Sequence, residues 1–288
     1  MITKAIILAG GTGKRLSPIT KSVNKQLLPL FDKPMIFYPL SVLMLAKIRD
    51  ILIITNKKDI GSFSNLFGNG KNLGIKISYL EQQKANGLPE AFIIGEKFIN
   101  KKSVALILGD NFFYGQGFTK KLSKNKKLMN GCKIFLYKVK NPQDYGTAEI
   151  KKNKINIIKE KPKKSKSGLA ITGLYFFDKN VVRFSKKLKP SKRNELEITD
   201  LLKIYKRNNK LSYDFMGRGS AWLDTGSPKN LLSTSEFIST IEDRQGLKIG
   251  CIEEIAFNYN WINAKHIKQR IKYYGKSEYS NYLKKIIS

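Results

Sequence analysis

The chain has 288 residues, 41% of them apolar, which is enough for the core of one large α/β domain and excludes disorder as the default state. The formal net charge is +32, yet the lysines are scattered over expected loops and helix faces, without the interleaved aromatics of a stacking platform, so no nucleic-acid partner is expected. There is no apolar run of about 18 residues and no secretory signal pattern in MITKAIILAGG, which points to no membrane association and a cytoplasmic location.

In chain order, KAIILA (4–9) reads as a strand and MIFYPLSVLMLAKI (35–48) as a helix, apolar nearly all round and therefore buried. DILIIT (50–55) and IKISYL (75–80) read as strands, PEAFIIGEKFI (89–99) as a helix opened by proline, and SVALILGD (103–110) as a fourth strand. This alternation argues for a mainly parallel sheet with helices on both faces. GCKIFLYKV (131–139), AEIKKNKINIIKEKP (148–162) and LAITGLYFFD (169–178) make the second half strand-rich. Beyond 229 the pattern turns helical, most clearly in LLSTSEFISTIEDRQ. The expected architecture is an α/β, Rossmann-like, mainly parallel (mixed) sheet flanked by helices, with a core over 1–229 and a C-terminal helical extension over 230–288 packed on it.

Cys132 and Cys251 lie in no Cys-x-x-Cys motif and read as buried free thiols. His266 is the single histidine, in the lysine-rich helical stretch NAKHIKQRIKYY, where a surface position is expected. A histidine-rich zinc site is thereby excluded, and metal chemistry would fall to carboxylate oxygens and Mg²⁺.

The first strand runs into LAGGTGKRLSPIT. In open α/β sheets ligands bind beyond the carboxyl ends of the strands, where this loop lies. Its glycines let successive N–H groups face inward as an anion nest, and Arg15 and Lys25 add fixed charge, so the expected ligand is a phosphate chain. It is not a Walker A loop, because Gly13-Lys14 is followed by Arg15 and position 8 is leucine. It is not the dinucleotide fingerprint either, because that spacing lands on Leu16. Asp110 ends the fourth strand in the same mouth, and Asp224 sits in a second strand-end turn, AWLDTG. Two carboxylates with a triphosphate make a Mg²⁺ site, since Mg²⁺ prefers one or two carboxylates plus phosphate oxygens and water. DYGTAEI, KEKP and ITGLY bring together aromatic, carboxylate and cationic groups, although Glu160 and Lys161 taken alone read as an exposed pair in a lysine-rich run. Gln82, in YLEQQKANGLPEA, carries an amide that offers both a donor and an acceptor.

LAGGTGKRLSPIT followed by NKQLLPLFDKPMIFYPLSVLMLAKIRDILIIT resembles the sugar nucleotidyltransferases, and among them the glucose-1-phosphate thymidylyltransferases. The resemblance continues in one register through LGDNFFYGQGF, EKPKKSKSGLAITGLYFFD, ELEITDLLKIY, GRGSAWLDTGS and RQGLKIGCIEEIA. It implies Mg²⁺-dependent transfer of thymidylate from dTTP to glucose 1-phosphate, giving dTDP-glucose and pyrophosphate, at the entry to dTDP-rhamnose synthesis. It implies that Leu8, Gly10, Gly11, Thr12, Gly13 and Lys14 hold the nucleotide, that Gln82 and Gly87 read the thymine, and that Asp110 and Asp224 hold the metal. Tyr145, Gly146, Glu160, Lys161, Thr172, Tyr175 and Arg193 fall to the sugar phosphate, with Arg15, Lys25 and Lys161 as the catalytic cations. It also implies a homotetramer with a regulatory dTDP-rhamnose site, for which residues 112–118, Arg218 and CIEEIA are the candidates. The chain departs from the family pattern at Lys14, which replaces a small hydroxyl residue, and at Pro89-Glu90, which replaces Ala-Gln. Both lie near the nucleotide, so dTTP and UTP stay open as alternatives.

Overall fold

The apolar runs become strands because they are rich in β-branched and aromatic residues and are bounded by turn formers. The computed structural model describes residues 1–127 and 130–288. Its strands are β1 (Lys4–Leu8), the small hairpin β2 (Pro29–Leu30) and β3 (Lys33–Pro34), β4 (Asp50–Thr55), β5 (Lys76–Glu81), β6 (Val104–Leu108), β7 (Asn111–Gly115), β8 (Cys132–Lys138), β9 (Thr147–Lys151), β10 (Lys154–Lys159), β11 (Leu169–Phe177), β12 (Leu211–Phe215) and β13 (Ser220–Asp224). The helices are α1 (Phe37–Leu45), α2 (Ile60–Phe67), α3 (Glu90–Ile94), α4 (Glu96–Ile99), α5 (Phe118–Asn125), α6 (Val181–Ser185), α7 (Ile198–Arg207), α8 (Pro228–Gln245), α9 (Ile252–Asn258), α10 (Ala264–Tyr274) and α11 (Glu278–Ile287).

Among the described residues one sheet runs β10-β9-β11-β6-β1-β4-β5, with β8 pairing β11 and β12 pairing β8. β6, β1, β4 and β5 are mutually parallel, and β11 joins them antiparallel, so the sheet is mixed as expected. Alternation along β1 shows the two layers. Ala5 and Ile7 pack with α1, α2 and the C-terminal helices α9–α11, while Ile6 and Leu8 pack with α3, α4, α6 and α7. Residues Phe37 to Met44 of α1 are all buried, as an all-round apolar helix requires. The helix expected over 89–99 is instead two short ones. A Cβ on Gly95 would come within 2.9 Å of the Ala91 carbonyl and 3.1 Å of Ile6 Cδ1, so this glycine lets the segment press on β1 and breaks it there.

Two pairings position the site. Leu8 lies in register with Leu108, so the glycine loop after β1 and Asp110 after β6 leave the sheet at the same edge. β7 and β13 form a separate antiparallel ribbon in which Asn111 faces Asp224, which brings the two aspartates together. Thr225 closes the join, its hydroxyl donating to the Asp110 carbonyl at 2.9 Å.

Cys132 and Cys251 are buried free thiols. His266 is half-buried at the start of α10, where it shares a capping box with Asn263. No helix among the described residues is long and apolar enough to cross a membrane. The C-terminal helices are pinned from inside. Glu253, fully buried on α9, accepts hydrogen bonds from Arg270 Nε (3.0 Å), Tyr274 (2.8 Å) and Tyr279 (2.6 Å). Removing one partner of a buried ion pair strands the other, at about 3–5 kcal/mol. Arg270→Ala is therefore expected to lower unfolding stability by about that amount in urea titrations, and a loss below about 1 kcal/mol would contradict a supporting role for the pair.

Candidate active site

The glycine loop is held open by its return segment. Asn24 donates to the Ala9 carbonyl at 3.2 Å and to Asp59 at 2.7 Å, and its Oδ1 accepts the Gln26 N–H at 2.9 Å. This anchors Lys25, only 6% exposed, directly against the Asp110 carboxylate at 2.5 Å. The backbone N–H groups of Gly10, Gly11, Thr12 and Gly13 meet no acceptor among the described residues. Unpaired backbone donors beside fixed positive charge suit an anion. Arg15, two-thirds exposed, reaches to 3.8 Å from Asp224 and is free to follow a ligand.

The loop opens into a cleft of about 330 Å³ between the sheet edge and the strand-rich half. Leu8, Gly11, Arg15, Gln82, Gly87, Asp110, Tyr145, Gly146, Glu160, Lys161, Tyr175, Arg193 and Asp224 of the expected site line it. Gly10, Thr12, Gly13 and Lys14 belong to the loop at its rim rather than to its lining. Thr172 is not brought to the cleft. Its neighbours Ile171, Gly173 and Tyr175 line it, and strand alternation turns the Thr172 side chain to the opposite face, where its hydroxyl is buried without a partner.

Three residues that sequence reasoning missed complete the cleft. Asn111 is its hub: Oδ1 accepts from Trp222 Nε1 (2.7 Å) and the Gly173 N–H (3.1 Å), while Nδ2 donates to Asp110 (3.0 Å). Trp222 also packs edge-on against Tyr145, with ring centroids 5.0 Å apart. Gln26 is buried and lines the cleft with an unpaired Oε1. Its place directly after Lys25 was the available signal, as adjacency to Asp110 was for Asn111.

The electrostatics separate the two aspartates. Burial would raise the Asp110 carboxyl, but the charge and hydrogen bond of Lys25, with the bond from Asn111, hold it below the ordinary carboxylate range. Asp224 is pushed up to about 6, by burial and then by the negative charge of Asp110, with Lys25 and Arg15 offsetting only part. Across the cleft, burial and then Glu197 raise the Glu160 carboxyl, against a hydrogen bond from Thr199 at 3.1 Å. Arg193 reaches the mouth with its guanidinium already engaged, by Glu197 (2.6 and 3.1 Å), Glu160 (3.3 Å) and Glu195 (3.5 Å). Lys161 sits in the left-handed region at φ 39°, its N–H donating to the Tyr145 carbonyl at 3.1 Å. At Gly87, φ is 105° and a Cβ would collide with the Leu196 backbone, so only a glycine lets this loop pair with the segment that carries Arg193.

Within the described residues no group of three or more metal-ligating side chains occurs. The chain offers Asp110 and Asp224 and leaves any further ligands to phosphate or water. Crowded carboxylates, one of them reluctant to ionise, fit a divalent cation bound together with its phosphate ligand.

A family model described as nucleotidyl transferase matches residues 4–241. A glucose-1-phosphate thymidylyltransferase of Neisseria meningitidis is 49% identical over 285 residues, 99% of each chain. A solved structure of a Bacillus anthracis protein assigned as a glucose-1-phosphate thymidylyltransferase, in complex with sucrose, superposes with a TM-score of 0.76 at 39% identity, over 81% of this chain and 94% of that one. A UDP-glucose pyrophosphorylase bound to UDP-glucose superposes at 0.73 with 26% identity, over 84% of this chain and all of that one.

Because the raised Asp224 carboxyl favours folding only below its unfolded value of 3.8, its contribution is lost as pH rises through about 6. Asp224→Asn should therefore stabilise the metal-free protein at pH 7 by about 1–3 kcal/mol, the gap to wild type closing as pH falls toward about 4. Thermal melts across that range test it, and an Asn variant no more stable than wild type at pH 7 would contradict the crowding.

Proposed function

The chain belongs to the nucleotidyl transferase family, among the glucose-1-phosphate thymidylyltransferases, and on that premise we propose that it transfers thymidylate from dTTP to glucose 1-phosphate with Mg²⁺, releasing dTDP-glucose and pyrophosphate. It is an enzyme of the nucleotidyltransferase class. The observation that carries the substrate reading is the convergence of Lys25, Asp110, Asp224 and Arg15 at the end of the glycine loop, with Glu160 and Lys161 lining the other side of the same cleft.

In this reading a phosphate oxygen of glucose 1-phosphate attacks the α-phosphorus of dTTP. The new P–O bond forms as the bond to the β-phosphate oxygen breaks, and pyrophosphate leaves with its electron pair. The nucleophile is an anion at neutral pH, so the chain's task is positioning and charge neutralisation rather than proton removal. The loop N–H groups and Arg15 take the leaving pyrophosphate. Lys25, fixed by Asp110, stands beside the reacting phosphate. Lys161 aligns the attacking phosphate, Glu160 receives sugar hydroxyls, and the Tyr145–Trp222 pair walls the sugar. Asp110 and Asp224 would hold Mg²⁺ together with phosphate oxygens, and the ion would supply charge neutralisation at the α-phosphate. Arg193 enters by exchanging one of its carboxylate partners for the sugar phosphate.

The product suits a route to dTDP-rhamnose, and the same reading extends to a homotetramer with a second, regulatory nucleotide-sugar site. Of the candidates for that site, Arg218 is exposed, whereas Glu253 is committed to Arg270.

Pyrophosphate release with glucose 1-phosphate, Mg²⁺ and each of dTTP, UTP, ATP, CTP and GTP tests the reading. dTTP is expected to lead. A lead for UTP would keep the mechanism and change the nucleotide, and no release with any of them from folded protein would overturn it. Lys161→Ala should cut turnover about 10²–10³-fold, the effect of losing one preorganised charge contact, and unchanged turnover would remove Lys161 from the mechanism.

A further inference from the structure

Gln82 follows β5, and its position is fixed on three sides. Its backbone N–H donates to the Thr55 carbonyl at 2.8 Å, and the residue is 3% exposed. Its amide Nε2 donates to Glu90 Oε2 at 2.7 Å, and the other Glu90 oxygen accepts from Asn86 Nδ2, also at 2.7 Å. On the far side the Gln82 oxygen lies against Gly10, where a Cβ would collide with it. No protein donor reaches that oxygen among the described residues.

A glutamine amide is ambiguous by itself, because turning it by half a revolution exchanges donor and acceptor. A carboxylate whose two oxygens accept from the Gln82 and Asn86 amides removes the ambiguity. With Glu90 beside it, the Gln82 NH₂ must face Glu90 and the oxygen must face away. The reversed amide would set oxygen against carboxylate and leave a buried acceptor unpaired. We propose that Glu90 is a specificity-determining positioning residue. By locking the Gln82 amide, it makes the cleft accept a keto-pyrimidine and reject cytosine.

The chemistry follows from the base edges. Thymine and uracil present an N3–H donor next to the O4 acceptor. The locked amide meets them with its oxygen and its second N–H, making two complementary bonds. Cytosine in the same pose presents an N3 lone pair and an amino group, so acceptor faces acceptor and donor faces donor. A glutamine free to turn would serve both bases, whereas a locked one serves only the first. The lock does not separate thymine from uracil, whose edges agree at these two positions.

This inference rests on the nucleotide reading above, and the test separates the two. Wild type, Glu90→Gln and Glu90→Met are compared in steady-state assays with glucose 1-phosphate and dTTP or dCTP, with melting curves confirming folding. Glutamine is nearly isosteric with glutamate but can turn together with Gln82, while methionine removes the acceptors. In both variants the dTTP-to-dCTP ratio of kcat/KM should fall about tenfold or more, the discrimination expected of a bidentate base contact. The change should reside in KM, because the base is remote from the reacting phosphorus. Folded variants with an unchanged ratio would overturn the inference, as would equal losses of kcat for both nucleotides, which mark a general structural role. Wild-type protein that turns over neither dTTP nor UTP would overturn the nucleotide reading and this inference with it, whereas dTTP turnover with an unmoved ratio overturns the inference alone.

Discussion

Two aspartates held side by side at the edge of a sheet repel each other, and much of the cleft is arranged around that repulsion. Asp110 can remain ionised because Lys25 is buried against it, and Lys25 can be buried only because Asp110 is there. Asp224 lacks an equivalent partner. Arg15 stands 3.8 Å away and largely in solvent, where an ion pair contributes little. The free chain therefore carries an electrostatic deficit at one point, and it is the point where a cation and a polyphosphate would meet. Strain of this kind at a site is a common consequence of building for a ligand rather than for stability.

The scaffold that enforces the crowding is local and rigid. The β7–β13 ribbon sets Asp224 opposite Asn111, and Asn111 ties Trp222, the Gly173 backbone and Asp110 into one unit. The register of β11 against β8 shifts between Ile171 and Tyr175, so the strand deforms where it meets this unit. Irregular pairing beside a site re-aims side chains, and here it lets Gly173 approach Asn111 closely. The carboxylates are thus held by backbone pairing and buried hydrogen bonds, not by flexible loops alone.

Much of this was legible in the sequence, for reasons that are themselves local. The apolar runs gave the parallel strands, and placing Asp110 at the end of one and the glycines at the end of another put both in one mouth. What local pattern could not show is partnership. Nothing in NFFYG or SAWLD says that these segments pair with each other, so Asp110 and Asp224 can be matched as candidate ligands from the sequence while the ribbon that joins them and Asn111 as its hub cannot. Thr172 was assigned to the sugar by its motif, but its face depends on the parity of β11, which only the sheet defines. Arg193 is assigned to the sugar phosphate by resemblance; of its three carboxylate partners Glu195 and Glu197 are sequence neighbours, and only Glu160 comes from a segment that meets it in the fold. The helix over 89–99 failed at Gly95, where a close approach to β1 outweighed a continuous helical pattern.

The cleft's two ends are also joined directly. Leu196 donates its N–H to the Asn86 carbonyl at 2.6 Å, and Gly87 pairs with Leu196 as a short parallel bridge. Residues 86 and 87 lie near Gln82 at one end of the cleft, and residues 191–197 carry Arg193 and Glu197 beside Glu160 at the other. A displacement of Arg193 would therefore act on a segment that is hydrogen-bonded to the loop carrying Asn86 and Gly87. The positive φ of Gly87 is what permits the bridge, since a side chain there would strike the Leu196 backbone. Gly87, which resemblance assigns to the nucleotide, is in the fold also the point at which this loop joins the segment that carries Arg193.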